Sequence, residues 1–166
     1  MSYADAHPAR RLLRRLAATE PVSRVLGRTL HHADRAVYRW SAGRTTLAAM
    51  LSGLPVVMLT TSGARTGRPT TAPLLGVVEG DAVIVVGSNF GRPQHPAWIH
   101  NLRANPRAQV EVEGQTREVT AEEVDGAERD RYIAMATEIY PGFPAYVKRA
   151  APRRIAVIRL IPSGGI

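Results

Sequence analysis

The sequence predicts an α+β chain, mainly β, with six antiparallel strands that close or nearly close into a small barrel. Three observations carry this. Short apolar extended runs recur from Val56 to Ile161, separated by turns rich in glycine and proline. The first three runs follow one another through short turns alone, whereas a doubly wound parallel sheet needs a helix after each strand. With 166 residues and 45% hydrophobic content, the chain is long and apolar enough to bury a core.

The elements follow in order. Residues 1–7 show no pattern. From Pro8, Leu12, Leu13 and Leu16 share one helical face and Arg10, Arg11, Arg14 and Arg15 the other, until Glu20-Pro21. A second amphipathic run carries Val22, Val25, Leu26, Leu30, Ala33, Val37 and Trp40 against Arg24, Arg28, His31, His32, Arg35 and Arg39. A third piece, Thr46 to Leu51, stops at Gly53. Residues 1–53 therefore read as a basic helical arm, and residues 54–166 as the barrel domain. The arm either lies on an anionic membrane surface with its apolar face down or packs on the domain. His31 and His32 are adjacent and point apart on a helix, so they make a poor metal pair.

The first strand is the apolar run Val56-Val57-Met58-Leu59, and the second runs through Thr70, Thr71, Leu74 and Leu75. Glu79-Gly80-Asp81 turns that strand back into a third, Ala82 to Val86, as a hairpin. A helix opens at Pro96 or Ala97, since proline suits a first turn, and stops at Asn105-Pro106. Ala108–Glu113 and Gln115–Val124 are the next two strands, hinged on Gly114. Asp125 to Tyr140 is helical, with Asp125 as N-cap. Tyr140 to Tyr146 is aromatic and broken by Pro141 and Pro144, and Ile155–Ile161 closes the barrel.

Composition narrows the chemistry. Without cysteine there is no disulfide, thiolate metal site or cysteine nucleophile, which suits a reducing cytoplasm. The net charge of +8 implies an anionic partner: a phosphorylated cofactor, nucleic acid or an acidic membrane surface. Nucleic acid is disfavoured, because no reader motif is present and the few aromatics are not interleaved with the basic residues. No run is apolar for the roughly 18 residues that a membrane span needs. Arginines interrupt every apolar window near the N-terminus, so no signal-peptide core is expected. His95 and His100 lack nearby carboxylates, so no metal site is expected.

Two polar loops remain. Between the first two strands, Ser62-Gly63-Ala64-Arg65-Thr66-Gly67-Arg68-Pro69 gathers glycine backbone N–H groups, hydroxyls and guanidinium groups in a small volume. That combination suits an anion, most plainly a phosphate, although the same residues make an ordinary basic hairpin turn. It is not a Walker loop, because the spacing differs and a strand follows. The second loop, Gly87 to Pro96, leaves the third strand and enters the helix.

Taken together, Leu59-Thr60-Thr61-Ser62-Gly63-Ala64-Arg65-Thr66-Gly67-Arg68-Pro69, Pro73-Leu74, Ser88-Asn89-Phe90-Gly91, His95-Pro96-Ala97-Trp98 and Asn101-Leu102-Arg103-Ala104-Asn105-Pro106 form a specific pattern. It resembles the deazaflavin-dependent nitroreductase family of actinobacteria, whose members bind coenzyme F420 in a split β-barrel. The resemblance spans about residues 55–162 and implies a division of labour. Ala64, Arg65 and Thr66 match the loop that holds the cofactor's phosphate and polyglutamate tail. Thr70, Thr71, Ala72, Pro73, Leu74 and Leu75 correspond to the strand lining the deazaflavin ring. Val86, Gly87, Ser88 and Asn89, with Ala97, Trp98, Ile99, His100 and Asn101, close the other sides, and Phe143 caps the pocket. Leu75, Tyr140, Phe143 and Tyr146 are implied on the acceptor side, with Ser88 or Tyr140 as proton donor.

This chain departs from the family at Thr70 and near Asn89, where relatives often carry basic residues. Leu75 and Phe143 stand where the nitroreductase subgroup has tyrosines, which argues against nitroimidazole activation. The expected reaction is hydride transfer from reduced F420 to a quinone, enone or nitro compound. The alternatives are an FMN-binding split-barrel reductase or oxidase and a non-catalytic cofactor or lipid carrier docked on membranes. The chain is expected in the cytoplasm, peripherally on the inner face of the cell membrane if the arm binds lipid, as a monomer or homodimer.

Overall fold

The computed structural model describes residues 55–140 and 142–164; the arm, with its helical runs and His31-His32, lies outside the described residues. Six strands form a closed antiparallel barrel: β1 (Val56–Ser62), β2 (Pro69–Glu79), β3 (Ala82–Val86), β4 (Arg107–Val112), β5 (Gln115–Val124) and β6 (Val157–Pro162). Around the barrel they neighbour in the order β1, β2, β3, β6, β5, β4. Helix α1 (Ala97–Ala104) sits between β3 and β4, while α2 (Gly126–Ile139) and α3 (Phe143–Ala150) lie between β5 and β6.

The pleat explains the core. Along β1, Val57, Leu59 and Thr61 point inward, so every second residue is buried. Val57 pairs with Leu74 on one side and Val112 on the other; Leu59 pairs with Ala72 and Val110. These residues join Val83, Val85, Val119, Ile158 and Leu160 in one apolar cluster, which Trp98, Ile99 and Leu102 of α1 complete. β3 is apolar on both faces because both are covered. Val83 and Val85 face the barrel interior, and Ile84 packs outside with Val124, Val157 and Tyr132 of α2. Burying such side chains contributes about 1.5–3 kcal/mol each.

Three elements differ from the sequence expectation. β1 and β2 run on to the Ser62–Pro69 rung, so the connecting loop is only residues 63–68. The Thr60–Thr71 and Thr61–Thr70 pairs extend the ladder, because β-branched threonines suit a strand as well as a loop. The proline-broken segment becomes helix α3, with Pro144 in its first turn, where its missing N–H has no consequence. β6 starts at Val157, since Ile155 and Ala156 are buried without joining the sheet. Asp125 does hold the N-cap position of α2, but its carboxylate pairs with Arg154 and makes no side-chain capping bond.

Candidate active site

The two polar loops meet on α1. In the first, Gly63 N–H donates to Arg68 O at 2.9 Å and Gly67 N–H to Gly63 O at 2.7 Å, which folds residues 63–68 into a tight turn. Gly67 takes φ +64°, a conformation glycine adopts without strain. Asn101 anchors this turn. Its Oδ1 accepts from Ala64 N–H at 2.9 Å, and its Nδ2 donates to Thr61 Oγ1 at 2.9 Å. Thr61 Oγ1 in turn donates to Thr70 O at 3.4 Å. Thr61 and Asn101, at 2% and 7% exposure, are the buried polar side chains among the described residues. A buried amide needs partners, and here both of its ends are used. Arg65 and Arg68 are exposed, and no ion pair holds either of them among the described residues.

α1 also braces the second loop. A Cβ on Gly87 would lie 3.2 Å from two Ile99 side-chain carbons, so glycine permits the helix to close on the end of β3. Beyond it the backbone turns sharply: Asn89, Phe90 and Gly91 all have positive φ, at 47°, 54° and 73°. Non-glycine residues there cost of order 1 kcal/mol or more each and persist only where surroundings impose them. The surroundings are arginines from the C-terminal segment. Arg153 donates to the carbonyls of Gly87 (3.1 Å), Ser88 (2.9 Å) and Arg92 (3.1 and 2.8 Å), and Arg149 donates to Phe90 O (3.1 Å). Asn89 Nδ2 donates to Gln94 O at 2.9 Å.

Beside this loop stands an aromatic cluster centred on Tyr146. Its ring lies 6.2 Å from Phe90, 5.4 Å from Tyr140 and 6.0 Å from Phe143. Arg149 stacks over it at 5.0 Å. Burial, then its hydrogen bond with Tyr140, pushes the Tyr146 hydroxyl above the ordinary tyrosine range, so it holds its proton at neutral pH. Phe143 is 6% exposed and packs with Ala150, Ile155 and the partly buried Val86.

The structure thus ties Ala64 and, through Thr61, Thr70 to Asn101 of α1, sets Gly87 against Ile99 of the same helix, and gathers Phe90, Tyr140 and Phe143 around Tyr146. It also divides the stretch from Thr70 to Leu75. Ala72 and Leu74 pack toward the barrel core, whereas Thr71 hydrogen-bonds Thr60 Oγ1 at 2.8 Å and, with Pro73 and Leu75, takes the opposite parity. Trp98 and Ile99 pack their side chains in the barrel cluster, leaving Ala97 and His100 exposed on α1. The sequence reading missed Arg149 and Arg153, since isolated arginines far along the chain carry no positional signal.

His95 lies at the entry to α1, its ring 5.9 Å from His100. Its Nδ1 is buried without a hydrogen-bond partner. Burial, then the charges of Arg103 and Arg153, hold its pKa below the ordinary histidine range. The unfolded chain therefore binds a proton more readily than the folded one. This contribution to stability is full above about pH 6.5 and falls as pH drops below it. Thermal melts across about pH 5 to 8 should show a shallower acid-side loss in His95→Gln than in the original chain. Identical profiles would refute the assignment. Among the described residues no cluster of metal-ligating side chains occurs, and no helix is long and apolar enough to cross a membrane.

A small closed barrel carries an arginine-bearing turn and a braced second loop on one helix, and comparison with known proteins assigns it to a family of cofactor-dependent oxidoreductases. Residues 30–162 match the family described as F420H(2)-dependent quinone reductase, and the chain belongs to that family. The F420H(2)-dependent quinone reductase Rv1261c of Mycobacterium tuberculosis is 36% identical over 110 residues, covering 66% of this chain and 72% of the relative. A solved F420-H2 dependent reductase (FDR-A) superposes with a TM-score of 0.57 at 34% identity, covering 64% of this chain and 93% of that one. A second solved chain, described as a domain-swapped dimer, matches with the same TM-score and identity over 64% of this chain and 79% of its own. The protein is accordingly an F420H2-dependent oxidoreductase with the split-barrel fold, and coenzyme F420 is its cofactor.

Proposed function

We propose that this protein reduces a quinone with reduced F420, binding the cofactor across α1 between the two polar loops. The observation that carries this reading is the turn at residues 63–68. It is anchored by buried Asn101 and presents Arg65 and Arg68 outward with no ion pair among the described residues. Guanidinium groups held ready for an anion, beside exposed backbone, fit a phosphate and carboxylate tail. Ala64, Arg65 and Thr66 hold that tail. The ring lies along β2, bordered by Val86 to Asn89 and by Ala97 to Asn101.

When bound, the reduced deazaflavin supplies the hydride. The chain's own residues bind, orient and exclude water. Tyr140, Phe143 and Tyr146, with Leu75, form the acceptor side. In this reading Ser88 or Tyr140 delivers the proton, while burial holds the Tyr146 hydroxyl above the ordinary tyrosine range. A quinone suits this aromatic, largely apolar surface, with enones and nitro compounds as further acceptors to compare.

The test is a binding titration and turnover assay with reduced F420 against menaquinone, an enone and a nitro compound. Arg65→Ala is expected to weaken F420 binding about 10–100-fold, the worth of one charge-assisted hydrogen bond, with a smaller change in kcat. Unchanged affinity would remove Arg65 from the tail site. No oxidation of reduced F420 by any acceptor would overturn the whole proposal.

A further inference from the structure

The loop that borders the proposed ring site does not hold its own shape. Three successive residues, Asn89 to Gly91, sit at positive φ, two of them without glycine's freedom. The internal bonds Gly91 N–H to Ser88 O and Arg92 N–H to Asn89 O close only a single 3-10 turn. Asn89 Nδ2 and Arg149 add one bond each, to Gln94 O and Phe90 O, and the largest share comes from one side chain. The Arg153 guanidinium makes four hydrogen bonds to the carbonyls of Gly87, Ser88 and Arg92, at 2.8–3.1 Å. No carboxylate pairs with Arg153 among the described residues, and burial lowers its pKa. Arg153 is thus a partly buried cation whose bonds all go to the backbone of this one loop and of its exit at Arg92. Its planar fork makes four bonds to three carbonyls in a fixed geometry, which an ammonium with three donors on a single nitrogen does not reproduce.

We propose that Arg153 is a positioning residue for hydride transfer: it fixes the Gly87–Arg92 loop, and through it Ser88 and Asn89, against the bound deazaflavin. This rests on the ring site proposed above. Arg153 touches neither cofactor nor acceptor; it acts through the loop's backbone. The geometry asked of that loop is strict, because a misplacement of about 1 Å at the reacting centre costs about 100-fold in rate.

Arg129 provides a matched comparison. It too donates to a backbone carbonyl, Ile155 O at 3.0 Å, and pairs with Asp130, but it touches no residue of the loop. Full-length Arg153→Ala, Arg153→Lys and Arg129→Ala are assayed for F420 affinity, kcat and KM with menaquinone, and melting temperature. In Arg153→Ala, kcat is expected to fall about 10–100-fold, beyond any change in KM. Millimolar guanidinium should restore part of it and methylammonium should not. Arg153→Lys should recover little, and Arg129→Ala should lower the melting temperature while leaving kcat within about twofold.

If Arg153→Lys keeps kcat within about twofold of the original, the proposal is overturned, and this holds even should Arg153→Ala fail to fold. It is equally overturned if Arg129→Ala loses kcat in parallel with stability, or if guanidinium gives no rescue. An original chain that neither binds nor oxidises reduced F420 would overturn the ring-site reading and this inference together. An active original chain with unaffected Arg153 variants would overturn this inference alone.

Discussion

Asn101→Leu is expected to lower both stability and cofactor affinity. The leucine is similar in volume, so the effect isolates the amide. Its loss leaves Ala64 N–H and Thr61 Oγ1 without their partners at 2.9 Å, in a site where Thr61 is 2% exposed. Ala64 is exposed and Thr61 Oγ1 keeps its bond to Thr70 O, so the expected cost is that of about one unsatisfied buried polar group, about 1–3 kcal/mol. For a chain of this size that corresponds to a fall in melting temperature of roughly 3–10 °C. The loop at residues 63–68 then loses its tie to α1, so Arg65 is no longer held in place and F420 affinity should fall as well. Asn101→Asp separates the two roles. A carboxylate still accepts from Ala64 N–H and can accept from the Thr61 hydroxyl, so it should retain more affinity than leucine does. Melting and binding curves of Asn101→Leu that overlay those of the original chain would show that the network does not matter.

The second large effect is at Gly91. At φ +73°, any L side chain is strained by about 1–2 kcal/mol. In addition, a Cβ there would lie 2.8 Å from Tyr146 O and 2.9 Å from Tyr146 Cα, both backbone atoms of α3. Backbone cannot rotate aside, so α3 and the loop must separate. That overpacking adds about 1–3 kcal/mol. Gly80 is the internal control: it has φ +61°, but a Cβ there meets nothing within 4 Å. Gly91→Ala should therefore melt clearly lower than Gly80→Ala. It should also lose quinone reduction, because the parting of loop and α3 disturbs Ser88 and the Tyr146 cluster. Equal melting temperatures for the two variants would mean that the close approach has no energetic consequence.

Much of the barrel was legible because its signals are local. Val56 to Leu59 and Ala82 to Val86 are apolar runs bounded by turns, and Gln115–Val124 falls where the pattern places it. Ala97–Ala104 follows from Pro96 at one end and Asn105-Pro106 at the other. The proline-rich aromatic segment was misread for an equally local reason: Pro144 breaks a helix interior but suits a first turn, and its position relative to the start of α3 depends on Gly142 and Phe143 docking. The site was legible only in outline. The resemblance marks the stretch from Thr70 to Leu75 as continuous, while the pleat of β2 divides it between two faces.

By itself, then, the sequence determined the β-rich class, the order of the six strands, the exclusion of thiol chemistry and the basic, glycine-rich character of residues 63–68. Each of these follows from composition or from spacing along a few neighbouring residues. Only the tertiary structure decided what holds that character in place. Asn101 lies 37 residues from Ala64 and 40 from Thr61, and Arg153 lies 65 residues from Ser88. Barrel closure and the packing of α1 and α3 bring these groups together. Hydrogen bonds over such separations leave no trace in local periodicity, because they depend on where the chain returns.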